Sequence, residues 1–114
     1  MTTPKVWIAS RVSDDVGKAA EFGVLTHINT RYIYPDELVG ANNELPSSFK
    51  RNMEEAVRSF NPDADYLLLA GDHLQLIFIS ALLASTYDRF RVLRWDRKLE
   101  HYVPSLIYGY DHYS

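Results

Sequence analysis

Three residues that could hold a ligand stand together at Gly71, Asp72 and His73, where an apolar run passes into a helical pattern. In open α/β sheets ligands commonly lie beyond the carboxyl end of a central strand, where free N–H groups at a helix N-terminus attract anions. The carboxylate of Asp72 would oppose a phosphate there, and the segment lacks the repeated glycines of a phosphate-binding loop. Ligand contact at this junction therefore competes with a simpler interpretation, in which Asp72 only caps the helix.

A second group of candidates is a cluster of cations near the end of the chain. Five basic residues stand within ten positions: Arg89, Arg91, Arg94, Arg97 and Lys98. A basic ribbon of this kind could contact the phosphate of a nucleotide, and Arg91 and Arg94 are our ligand-binding candidates. The alternative is protection of a sheet edge, because charged side chains discourage strand-to-strand aggregation.

The sequence shows no constellation typical of catalysis or metal binding. The four histidines lack the i, i+4 pairing that sets two imidazoles on one metal: His27, His73, His101 and His112. The absence of cysteine excludes thiolate ligands and cysteine nucleophiles. A triad of Ser10, Asp72 and His73 would lack the nucleophile elbow of hydrolases. We therefore expect no catalytic residue, no metal and no cofactor.

Two apolar features favour contact with another protein chain. The segment after Asp72 is hydrophobic almost all round a helix, with Phe78 and Leu82 as interface candidates, so we expect this helix to be buried on more than one side. The C-terminal segment adds Tyr108 and Tyr110, and tyrosine is enriched at interfaces because it combines a large contact area with a polar group. These features predict a homo-oligomer, with burial inside one chain as the alternative.

The elements that must position these residues follow from apolar periodicity and turn formers. They are predicted in this order: a strand over 6–9, a short helix over 14–22, a strand over 24–34, an irregular stretch over 36–47, a helix capped by Ser48 and ended by Asn61-Pro62, a strand over 66–70, a helix capped by Asp72, and two strands over 90–95 and 100–107. In the first long helix the apolar residues form one stripe: Phe49, Met53, Ala56, Val57 and Phe60.

The run over 66–70 has no polar alternation, which is typical of a strand covered on both faces and predicts the centre of the sheet. Pro104 removes a ladder donor and confines the last strand to a sheet edge or a bulge. We therefore predict an α/β fold with a mixed β-sheet of about five strands, two main helices packed on it and a C-terminal antiparallel hairpin. Residues 1–114 form a single domain, with 108–114 as a candidate flexible tail.

Several of these segments resemble a family of small tailed-phage proteins. The resemblance rests on the first strand over 6–10, the segment Ala19-Ala20-Glu21-Phe22-Gly23, the run Tyr66-Leu67-Leu68-Leu69, and Arg91-Val92-Leu93-Arg94-Trp95 followed by Tyr102-Val103-Pro104. It implies a phage origin and carries no catalytic residue over to this chain.

Composition narrows the classes of function. The 114 residues are 46% hydrophobic and 24% charged, which is typical of a globular protein. The formal net charge of -3 argues against a general nucleic-acid partner. The longest apolar stretch falls short of the ~20 residues that cross a bilayer, so we expect no membrane partner and a location in the host cytoplasm. We expect a protein that binds a host protein or assembles as a homo-oligomer. The alternatives are sequestration of a small nucleotide and an enzyme acting on a small phosphorylated compound.

Overall fold

The chain folds into a five-stranded sheet with two α-helices and two short 3-10 helices. The computed structural model describes residues 3–13 and 15–109. The main elements are β1 (Lys5–Ile8), β2 (Val24–His27), α1 (Ser47–Ser59), β3 (Tyr66–Leu68), α2 (His73–Thr86), β4 (Arg89–Asp96) and β5 (His101–Tyr108). The strand order is β2-β1-β3-β4-β5. The predicted α/β fold, with two main helices and a closing hairpin, is confirmed.

The sheet is mixed because its last strand runs against the others. β1 pairs in parallel with both β2 and β3, β3 pairs in parallel with β4, and β5 closes the sheet antiparallel to β4. β3 is the central strand, with Leu67 and Leu68 fully buried, as the unbroken apolar run predicts. Pro104 lies in the edge strand β5 opposite Leu93, where a missing donor costs least.

Side chains of each strand alternate between two apolar layers. One layer holds α1 and α2 against the sheet and contains the predicted stripe from Phe49 to Phe60, together with Ile79 and Leu83 of α2. The other layer packs Ile8 and Leu68 against the segment around the first 3-10 helix, Gly17–Glu21. The helices therefore cover one face of the sheet, and the 3-10 segment covers part of the other face.

A buried carboxylate joins the starts of β1 and β3. Asp65 is 2% exposed and accepts hydrogen bonds from the backbone N–H of Lys5 (3.0 Å), from Trp7 Nε1 (2.9 Å) and from the backbone N–H of Asn61 (2.9 Å). These donors belong to β1 and to the turn after α1. The three hydrogen bonds therefore fix where α1 ends relative to the sheet.

Two predicted strands are shorter in the structure. The second strand ends at His27 rather than at Tyr34, because its neighbour β1 ends at Ile8. Two further hydrogen bonds follow the paired residues, from the N–H of Ile28 to the carbonyl of Ile8 and from the N–H of Asn29 to the carbonyl of Ala9. The central strand ends at Leu68 rather than at Ala70. Leu69 and Ala70, the last residues of the apolar run, lie beyond the strand and lead into the turn before α2.

The short helix predicted over 14–22 is present as the 3-10 helix Gly17–Glu21, and the Asp15 carboxylate accepts the N–H of Gly17 at its start. The predicted start of α1 needs correction. α1 begins at Ser47, so Ser48 lies inside the helix and does not cap it. The carbonyl of Pro46 accepts the N–H groups of Phe49 and Lys50, which makes Pro46 the residue at the N-cap.

The prediction that α2 is buried on more than one side is wrong for the single chain. One face is buried through Gln75, Ile79 and Leu83, whereas Leu74 and Ile77 are exposed. The hydrophobic pattern could not separate these faces, since apolar residues occupy both of them. Among the described residues, no helix combines the length and apolar character that crossing a bilayer requires.

Candidate ligand-binding site

A crevice of about 360 Å³ opens where the strand order reverses, between β1 and β3. The chain leaving β1 turns toward the 3-10 helix on one face of the sheet, and the chain leaving β3 turns toward α2 on the other face. Connections that diverge in this way leave a cleft at the carboxyl ends of the two strands, where doubly wound sheets bind ligands. The lining residues are Ser10, Arg11, Val12, Ser13, Arg31, Tyr32, Ile33, Ala70, Gly71, Asp72 and Gln75.

The floor of the crevice depends on a close contact between the ends of β1 and β3. Gly71 has φ +99°, and a Cβ at this position would lie 2.2 Å from Ser10 Oγ and 3.1 Å from Val12 Cγ1. The buried hydroxyl of Ser10 accepts the backbone N–H of Asp72 at 2.9 Å. Glycine is required here for both reasons, since a side chain would meet the neighbouring loop and a positive φ disfavours other residues.

Asp72 caps α2, as its position predicts. Its carboxylate accepts the backbone N–H of Gln75 at 3.0 Å, and its own carbonyl accepts the N–H of Leu76. Asp72 also lines the crevice, so capping of the helix does not prevent this side chain from contacting a ligand. His73, the first residue of α2, is exposed and is not among the described lining residues.

A row of three amides ends at the crevice, and sequence reasoning missed it. Asn52 Nδ2 donates to Asn29 Oδ1 at 2.9 Å, and Asn29 Nδ2 donates to Gln75 Oε1 at 2.9 Å. Gln75 is fully buried, and its Nε2 has no hydrogen-bond partner among the described residues. The available signal was a glutamine within an otherwise apolar helical segment, since a buried polar side chain requires partners.

Two cations line the crevice in place of the predicted ones. The Arg11 guanidinium lies 5.0 Å from the centre of the Tyr32 ring and forms no ion pair with any other described residue. Arg31 pairs with Glu37. The backbone N–H of Tyr34 and the Arg31 guanidinium hold the pKa of Glu37 below its ordinary value, so this carboxylate stays charged and neutralises Arg31. Among the described residues that line the crevice, Arg11 is therefore the cation left to meet an anionic group.

The structure does not bring Arg91 and Arg94 to this crevice. Arg91 donates to Tyr66 Oη at 3.1 Å and to the carbonyl of Asp63 at 2.9 Å, at the amino end of β3 and away from Gly71. Arg94 is exposed, and strand alternation places it on the face opposite Arg91. Across residues 3–13 and 15–109, no three His, Asp or Glu side chains come together in a way that could hold a metal ion.

The interface candidates lie in different places. Phe78 and Leu82 are half-buried against the core beneath α2, and Phe78 also lines a shallow apolar groove. Tyr108 ends β5 opposite Arg89, so it belongs to a strand and not to a tail. Gly109 follows it and donates its N–H to the carbonyl of Asp88, near the C-terminus of α2. Tyr110 lies outside the described residues.

Comparison with known proteins identifies a family whose model covers most of this chain. Residues 8–108 match the model of a protein family described as Phage Pam3 gp32-like protein. None of the curated proteins or solved structures compared with the chain matches it. The match covers most of the sequence, including all the residues that line the crevice.

Proposed function

Since this chain belongs to the family of Phage Pam3 gp32-like proteins, we propose that it is a phage protein that acts by binding, and that it takes a small nucleotide in the crevice between β1 and β3. The observation that carries this proposal is the Arg11 guanidinium, which lines the cleft at the reversal of strand order and forms no ion pair with another described residue. A cation without an ionic partner at the carboxyl ends of parallel strands favours an anionic ligand.

The chemistry of the lining suits a nucleotide in three respects. Arg11 offers a cation for a phosphate, and the exposed ring of Tyr32 offers a surface on which a planar base can stack. Asp72 is an acceptor suited to sugar hydroxyls rather than to phosphate. The volume of about 360 Å³ lies within the range of small-molecule sites.

We expect mononucleotides to raise the melting temperature of the wild-type protein, because a ligand that binds only the folded state stabilises it. The variant Arg11→Ala, which removes a cation that has no ion pair with another described residue, should weaken binding about 10- to 100-fold. The reason is that a hydrogen bond to a charged group contributes about 1.5–3 kcal/mol. Titration calorimetry with purine and pyrimidine monophosphates measures this effect.

The matched control is Arg51→Ala. Arg51 is exposed on α1 and forms no ion pair with another described residue, so this variant removes the same charge away from the crevice. It should bind as the wild type does. If no mononucleotide binds the wild type, or if both variants bind equally well, the proposed site is wrong.

A second candidate function, self-association, is favoured by the exposed face of α2. Ile77 is 67% exposed and Leu74 is 41% exposed, and with Phe78 and Leu45 they line the apolar groove. We call these four residues the α2 patch. Glu44 and Lys50 flank the patch with opposite charges, 3.9 Å apart. A two-fold contact between identical patches is compatible with such a pair, because each charge can then face its opposite on the second copy.

The charge-introducing variant Ile77→Glu should shift a dimer toward the monomer by at least about tenfold in dissociation constant, because burying an unpaired carboxylate opposes association. Sedimentation equilibrium over micromolar to millimolar concentrations measures the shift. Leu99→Glu is the control, since Leu99 is similarly exposed, at 58%, in the turn between β4 and β5. A wild-type protein that stays monomeric over the whole range would contradict self-association.

A further inference from the structure

The balance of charge in the crevice limits how much negative charge a ligand can carry. Three charged side chains line the crevice among the described residues: Arg11, Arg31 and Asp72. Glu37, which is not among the described lining residues, pairs with Arg31. Arg11 therefore remains to offset one negative charge on a ligand, and the Asp72 carboxylate opposes any charge beyond that one.

Arg31 is held by several contacts and is not free to serve a phosphate. Its Nη1 donates to the carbonyl of Tyr32 at 3.1 Å as well as to Glu37, and its guanidinium lies 4.9 Å from the centre of the Phe49 ring. The second carboxylate oxygen of Glu37 accepts the backbone N–H of Tyr34 at 2.8 Å, which fixes Glu37 in place. A phosphate must compete with this carboxylate before it can bind Arg31.

The Asp72 carboxylate is held in the wall of the crevice by its role as a helix cap. It is half-buried, and it accepts the backbone N–H of Gln75 at 3.0 Å, so it cannot turn away from a ligand without losing the cap. Arg11, by contrast, is exposed and contacts the ring of Tyr32. The crevice therefore combines one available cation with one fixed anion.

Resting on the proposed nucleotide site, we infer that the crevice prefers a nucleotide whose phosphate is a singly charged diester to one whose phosphate is a monoester. A phosphodiester carries one negative charge, whereas a phosphate monoester carries about 1.5 to 2 at neutral pH. The crevice volume of about 360 Å³ lies near the lower end of the range for small-molecule sites, which suits one nucleoside unit better than two. A cyclic mononucleotide and an open ester of a mononucleotide both provide this chemistry.

The test compares adenosine monophosphate with its methyl ester and with cyclic adenosine monophosphate. All three share the base and the sugar, and the two diesters lack the second negative charge. We expect the wild-type protein to bind at least one diester at least about ten times more tightly than the monoester in titration calorimetry at neutral pH. The tighter of the two diesters identifies the source of the ligand.

Two variants show whether charge sets the preference. Asp72→Asn keeps an oxygen that can cap α2 and removes the opposing charge, and Glu37→Gln releases Arg31 as a second cation. Each should tighten monoester binding more than diester binding and reduce the preference to less than about threefold. Asp63→Asn is the matched control: Asp63 is exposed before the start of β3, whereas the crevice lies beyond its end, so this variant should keep the wild-type preference.

The outcomes separate this inference from the proposal beneath it. Equal binding of all three nucleotides by the wild type, or tightest binding of the monoester, overturns the inference while the nucleotide site stands. A diester preference that neither Asp72→Asn nor Glu37→Gln narrows also overturns it, because charge then does not set the preference. Binding of none of the three nucleotides overturns both.

Discussion

Asp65→Ala should lower the free energy of unfolding by about 4 kcal/mol, because it removes the buried acceptor of three hydrogen bonds, of which the bond from the Trp7 indole is fully buried. The donors are the backbone N–H groups of Lys5 and Asn61 and the indole N–H of Trp7. Each hydrogen bond to a charged group contributes about 1.5–3 kcal/mol, although the three do not add fully because they share one carboxylate.

Urea titration followed by tryptophan fluorescence measures this loss, and the slope with denaturant should stay unchanged if only the folded state is weakened. Asp63→Ala is the control. Asp63 lies two residues away, is exposed, and contacts Arg91 through its backbone carbonyl rather than its carboxylate. Surface replacements of this kind usually change stability by less than about 0.5 kcal/mol. A loss below about 1.5 kcal/mol for Asp65→Ala would mean that water replaces the carboxylate.

Gly71→Ala should have the second-largest effect, with a loss of about 3 kcal/mol in stability and of nucleotide binding. Two causes contribute: the residue has φ +99°, and the new Cβ would lie 2.2 Å from Ser10 Oγ. Relief of this contact breaks the hydrogen bond from the Asp72 N–H to Ser10 and shifts the loop that carries Arg11. The crevice would then lose its shape even where the chain remains folded.

Gly40→Ala separates the two causes, since Gly40 also has a positive φ of +74° but has nothing within 4 Å of an added Cβ. Backbone strain alone should cost it about 1 kcal/mol. Adding Ser10→Ala to Gly71→Ala gives a second check, because removal of the hydroxyl should recover part of the loss. Equal losses for the Gly71 and Gly40 variants would show that the contact with Ser10 carries no energy.

Local patterns were sufficient for the order of the elements and for the buried face of α1. The apolar stripe from Phe49 to Phe60 identified the buried face of α1, and the unbroken run from Tyr66 identified the central strand. Pro104 limited the last strand to a sheet edge or a bulge, and the structure places it at an edge. These features depend on periodicity and on backbone chemistry within a few residues, which a single sequence displays directly. The cap at Asp72 belongs to the same class.

The failures at element ends have a common origin. A strand continues only as far as its neighbour offers acceptors, so the end of β2 was decided by the length of β1. The exposed half of α2 also depends on its neighbours. The hydrophobicity of a side chain indicates that burial is favourable, but it does not show which element covers that side chain. Within one chain the helix has a single sheet to pack on, and Leu74 and Ile77 remain outside that contact.

From its own residues the sequence determined that this is a mixed α/β protein, that Gly71 and Asp72 stand at the start of a helix, and that it resembles phage proteins. Only the tertiary structure decided that Ser10 and Arg11 meet this junction, that a row of three amides runs from Asn52 to Gln75, and that Arg91 lies elsewhere. The physical reason is distance along the chain. The crevice is made where parallel strands far apart in sequence become neighbours, and pairing of that kind leaves no local pattern.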